Sequence, residues 1–99
     1  MLETFEVGTF APRVGEPFRI RADEAQWVAT TLIEATALGE GTERPGHRAP
    51  FSLVFRGPDA PVLPQRTYRI HHEVIGEFEL FLVPIGPDRE GMRYEAVFG

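Results

Sequence analysis

Apolar and polar positions alternate with a period of two along most of this chain, which predicts strands rather than helices. The most hydrophobic run is EFELFLVPI at residues 77–85, bounded by Gly76 and Gly86. Its shortness, its Phe, Leu and Val content and its flanking glycines predict a buried strand, central to the fold. Phe78, Leu80 and Leu82 share one face. Glu79, Phe81 and Val83 share the other, which begins polar and ends apolar, so the strand is expected to be covered on both sides for half its length. Pro84 removes a ladder donor, and this implies a bulge or an edge in the last third of the strand.

The rest of the chain yields neighbours for this strand. Residues 2–7 alternate weakly and read as a first strand ending at Gly8. Phe18, Ile20 and Ala22 alternate with Arg19 and Arg21 behind Pro17, a half-buried strand with an arginine face. Residues 51–56 give the cleanest alternation, stopped by Gly57 and Pro58. Residues 67–73 follow the proline-stiffened connection through Pro58, Pro61 and Pro64. The short turn around Gly76 then makes the strand at 67–73 the antiparallel hairpin partner of the central strand. Residues 92–98 place Met92, Tyr94, Ala96 and Phe98 inward and are expected to pair on the central strand's other side. The tripeptide Gly-Pro-Asp ends the similar strings LVFRGPD and LVPIGPD. Convergence on the same turn residues accounts for that echo better than duplication.

Residues 23–38 carry two signals. Asp23 as N-cap, Gln26 three residues on, internal alanines and Gly39 past the end describe a helix. Trp27, Val28, Thr30, Thr31, Ile33 and Thr36 describe a strand, because β-branched and aromatic side chains are disfavoured in helices. The strand is the preferred assignment. Residues 39–50, GEGTERPGHRAP, have no apolar period and are expected to form a mobile surface loop.

These elements predict one all-β domain over residues 1–99, with six or seven antiparallel strands in a small barrel or a two-sheet sandwich. The alternative is α+β, with one helix at 23–38. The predicted core is Phe18, Ile20, Phe51, Leu53, Phe55, Tyr68, Ile70, Phe78, Leu80, Leu82, Tyr94, Ala96 and Phe98.

Composition narrows the function classes. With 99 residues there is room for one core and no second domain. The net charge of -5 opposes binding to nucleic acid or anionic lipid. Cysteine is absent, so there is no disulfide framework, thiolate metal site or cysteine nucleophile, which suits a reducing, cytoplasmic setting. No stretch reaches the ~20 apolar residues of a membrane span, and Glu3 and Glu6 stand where a secretory leader would be basic. All ten basic residues are Arg. With the abundant Gly, Pro and Ala, this points to a GC-rich, bacterial gene.

Catalytic chemistry finds little footing. The single serine, Ser52, lies within a strand, and the glycines at 39, 41 and 46 lack the spacing and the Lys of a phosphate loop. Adjacent His71 and His72 point to opposite faces, so they cannot share a metal ion without a bulge. His72 is expected to be a core-rim histidine with a hydrogen-bond partner. His71 and Glu73 share a side and are the residues a metal-assisted hydrolase would use, though cross-strand pairing is the ordinary role of such groups. Glu77, Glu79 and Glu95 could pair across strands as the carboxylates of a glycosidase do, but nothing in the sequence predicts a cleft between them. No enzyme, no cofactor and no metal site is therefore expected.

The strings FSLVFRGP, LPQRTYRIHH, IGEFELFLVPIGPD and GMRYEAVF resemble a family of short bacterial proteins described only as a domain of unknown function. The likeness covers the second half of the chain in detail. It implies a strand at 27–38 and an association with phage-tail-like proteins, and it carries no catalytic residues. The leading expectation is a non-catalytic structural or adaptor module that associates with itself or with a protein partner through strand edges and the outward Val97. The second is a small-ligand binder at a barrel mouth, with Arg56 and Gln65 as polar anchors.

Overall fold

The chain is described by a computed structural model covering residues 5–38 and 49–99. Six strands, β1 (Pro17–Arg21), β2 (Trp27–Ala37), β3 (Phe51–Gly57), β4 (Arg66–His72), β5 (Gly76–Asp88) and β6 (Gly91–Phe98), close into an antiparallel barrel in the order β1-β2-β3-β6-β5-β4. The barrel form of the all-β expectation is thus the one the chain adopts. Closure pairs each strand on both sides and removes the free edges that a sandwich would keep. Among the described residues, no helix is long and apolar enough to cross a membrane.

The ambiguous segment is a strand. β2 directs Val28, Thr30 and Leu32 inward, and the buried Thr30 hydroxyl donates to the carbonyl of Phe18 at 2.6 Å. The helix-like start signal at Asp23 is used for a turn instead, its carboxylate accepting the N–H of Ala25 at 2.8 Å. Burial of a continuous β-branched face outweighs the local helical preference.

β5 is central in a particular way. It pairs with β4 from Gly76 to Leu82 and with β6 from Val83 to Asp88. The register shifts between Pro84 and Gly86, so the bulge expected from Pro84 lies where the strand passes from one neighbour to the other. Its outer face stays in solvent, however. Phe81 is 52% exposed, contrary to the expected two-sided burial, because a single-layer barrel has no second layer over that side of β5; on β3 the outward Ser52 and Val54 are buried.

Every residue predicted for the core is buried. Two further side chains close the ends. The expected strand at 2–7 is absent over its described part, and residues 1–4 lie outside the described residues. A one-turn helix, α1 (Val7–Phe10), follows Glu6 instead. It is fixed by reciprocal bonds: Thr9 N–H donates to the Glu6 carbonyl at 2.9 Å, and Glu6 N–H donates to Thr9 Oγ1 at 3.2 Å. α1 lowers Phe10 into the barrel end, with ring centroids 5.9–6.4 Å from Phe18, Phe51, Phe78 and Phe98. At the other end, Leu63 of the β3–β4 crossover is buried, and its N–H donates to the Tyr94 hydroxyl at 2.9 Å. The barrel interior is thereby filled with side chains. The surface loop expected at residues 39–50 falls, over 39–48, outside the described residues.

Candidate functional site

The barrel is joined least at the β1–β4 seam, where two residue pairs, Arg19 with His71 and Ile20 with Ile70, meet; seven pairs join β3 to β6. Beyond the last pair the strands part around Pro17 and Glu73. A cleft of about 210 Å³ there is lined by Arg13, Glu16, Pro17, His72, Glu73 and Val74. A second, of about 160 Å³, lies against Pro17, Arg19, His71 and Glu73. Both fall below the ~300 Å³ at which small-molecule pockets begin.

His72 dominates the first cleft, and its role is structural. It is 3% exposed. Nδ1 accepts the N–H groups of Val74 at 3.0 Å and Ile75 at 3.1 Å, so the ring proton sits on Nε2, which donates to Glu16 Oε1 at 2.7 Å. The imidazole thus ties the β4–β5 turn to the segment entering β1, with both nitrogens engaged. This is the core-rim histidine with a partner that the alternation implied.

His71 and Glu73 do share the second cleft. There His71 Nδ1 accepts a hydrogen bond from Arg19 Nη2 at 3.1 Å, and no group of three or more metal-ligating side chains gathers among the described residues. Of the acidic trio, Glu77 and Glu79 face Arg69, at 3.3 and 3.9 Å, while Glu95 stands on β6 between Val54 and Val83.

Arg56 and Gln65 line neither cleft. Gln65 is exposed just before β4. The Arg56 guanidinium is held by Asp88, with Nε 2.9 Å from Oδ2, and by Glu90, with Nη1 2.9 Å from Oε2. Asp88 in turn accepts the N–H groups of Glu90 at 2.8 Å and Gly91 at 3.1 Å, which shapes the β5–β6 turn in the manner of an Asx turn. The bond from Arg56, then that from the Glu90 amide, lowers the Asp88 carboxyl to about 2. The group proposed from sequence as a ligand anchor is therefore committed to a turn clamp that joins β3 to the β5–β6 hairpin.

The outer surface carries two groupings that strand-by-strand reading separates. On one side, Trp27 of β2 lies opposite Arg21 of β1, and the guanidinium carbons of Arg19 and Arg21 stand 5.8 and 5.7 Å from its ring. On the other, Phe81 and Val97 are 52% and 63% exposed. Trp27 was legible only as a β-forming residue; its cationic neighbours come from a different strand. Val97 was legible as an apolar residue in a polar row.

Comparison with known proteins places the chain by family alone. A family model described as Domain of unknown function (DUF6916) matches residues 5–98. No curated protein and no solved structure matches the chain.

Proposed function

We propose, for a chain that belongs to the family Domain of unknown function (DUF6916), that it is a non-catalytic structural or adaptor module working through the outside of its barrel. The observation that carries this reading is the contrast between a filled interior and an exterior that exposes large apolar side chains. Phe10 and Leu63 stop the two ends, while Phe81, Val97 and Trp27 remain accessible. Large apolar side chains on an outer sheet surface are the usual anchors of protein–protein contacts. The polar groups with catalytic potential are already employed, His72 on the β4–β5 turn and Arg56 on the Asp88 clamp.

The closed barrel changes the expected mode of contact. Strand addition at a free edge gives way to docking of side chains on a face, since every strand is already paired on both sides. The resemblance to proteins encoded beside phage-tail-like genes makes a tail-like assembly the partner class, in the bacterial cytoplasm where such assemblies are put together.

A photo-crosslinking amino acid at position 97 tests the reading. In the native host, the expected result is one or a few discrete protein adducts that are absent when the probe stands at the buried position 96. Adducts no more discrete at 97 than at 96 would overturn it.

A further inference from the structure

We propose that His72 works as an acid-operated latch on the β4–β5 turn: a second proton on its ring releases the amides of Val74 and Ile75 and leaves the ring on Glu16, so that the turn opens while the barrel stays closed. The proposal stands independently of the module reading above.

The geometry fixes the protonation state in which the turn is shut. A main-chain N–H can only donate, so Nδ1, which meets those of Val74 at 3.0 Å and Ile75 at 3.1 Å, must present its lone pair. The one ring proton then lies on Nε2, toward Glu16 Oε1 at 2.7 Å. An imidazole of the other tautomer, or a charged one, cannot hold this turn. The ring is also packed in place: it is 3% exposed and lies on Phe18 of β1, with centroids 4.4 Å apart.

Adding a proton to Nδ1 breaks no covalent bond. It replaces the lone pair by an N–H that points at two other N–H groups, and both main-chain bonds are lost. On the other side of the ring the same proton turns the contact between Nε2 and Glu16 into a bond between charged groups, which is stronger. The two sides thus respond oppositely, and the turn is the side that gives way. Among the described residues neither amide has a main-chain acceptor, and Val74 is 64% exposed, so the released groups go to water. Below the turn, seven residue pairs from Arg66 with Leu82 to His72 with Gly76 hold β4 to β5. Opening stops at that ladder.

The charged neighbours of the ring come from a short stretch of chain. Glu16 meets it from the segment before β1, and Arg13 stands 3.6 Å from the same Oε1. Glu73 of the turn lines the cleft with them. β1 supplies Pro17 and Phe18 and β5 supplies Gly76, none of them charged. Arg19 and His71 belong to the neighbouring cleft. The cleft of about 210 Å³ beside His72 gives protons a path to the ring.

NMR on the full chain tests the latch, with ring nitrogen shifts reporting the tautomer and charge of His72 and amide exchange reporting the turn. At neutral pH the ring is expected as the Nε2–H tautomer. On acidification the Val74 and Ile75 amides are expected to follow protonation of that ring, losing about tenfold or more of their protection once intrinsic exchange is corrected for, while ladder amides of β4 and β5 keep theirs. His72→Asn supplies an acceptor that takes up no proton, and its two turn amides are expected to stay protected over the same pH range. His71→Gln is expected to leave the transition as it is in the wild type. A transition that persists in His72→Asn would assign it to the carboxylates of the cleft and overturn the proposal. Should that variant not fold, the wild-type ring and amide curves decide alone. A Nδ1–H tautomer at neutral pH overturns the latch, as does a charged ring beneath two protected amides, or a ring that stays neutral until the whole barrel unfolds.

Discussion

Replacing Phe10 by Ala is the sharpest perturbation of the fold, because the residue belongs to no strand and yet fills a barrel end. Its ring is fully buried and touches aromatic rings from β1, β3, β5 and β6. Burial of such a side chain contributes about 1.5–3 kcal/mol by transfer alone. The aromatic contacts and the cavity left behind raise the expected cost of truncation to about 3–5 kcal/mol. A small domain has about 5–15 kcal/mol in total, so the variant is expected to fold with much of its margin gone. In a urea titration with a slope near ~2 kcal/mol/M, the midpoint falls by about 2 M while the slope is unchanged. A loss below ~1 kcal/mol would mean that the four strands hold their rings together without Phe10 and that it is no plug.

Other perturbations test separate links. The Asp88 carboxyl lies lower in the folded chain, at about 2, than its ordinary ~3.9 when unfolded. The clamp's contribution is therefore complete above about pH 4 and is lost as pH falls through about 2. An NMR titration of Asp88 is expected to show its midpoint rise in Arg56→Gln; an unmoved midpoint would remove Arg56 as the cause. His72→Leu leaves the amides of Val74 and Ile75 without their acceptor, at a cost of about 1–3 kcal/mol, and hydrogen exchange at those two amides should quicken more than elsewhere in the hairpin. Uniform exchange would contradict the tie. Gly91 has φ +155, and a Cβ built on it would meet the Gly57 carbonyl oxygen at 2.0 Å. Gly91→Ala is thus expected to cost well over the ~1 kcal/mol of an average substitution in a denaturant melt; a neutral result would mean that β3 and β6 can separate there freely.

What could be seen in the sequence follows from the range of each signal. Alternation reports which side of a strand is inward, so positions such as Phe55, Ile70 and Tyr94 were recoverable one strand at a time. A four-residue helix shows no period, and Phe10 was therefore invisible as a plug. Leu63 lies among prolines in a crossover, where no alternation marks it as buried. Alternation also cannot say how many layers cover a strand, and this is why Phe81 was assigned to a covered face that the barrel leaves in water. Arg56 illustrates the same limit for sites. Its place near a strand end was readable, but its partner Asp88 is 32 residues away, and only strand order brings them together.

Native mass spectrometry of the tagged protein recovered from its host asks whether this chain works, as proposed, as a component of an assembly. Multiples of the 11.1 kDa chain, alone or in stoichiometric complex with a larger protein, are the expected result. A bare chain of one copy, recovered without partner under gentle conditions, would contradict it.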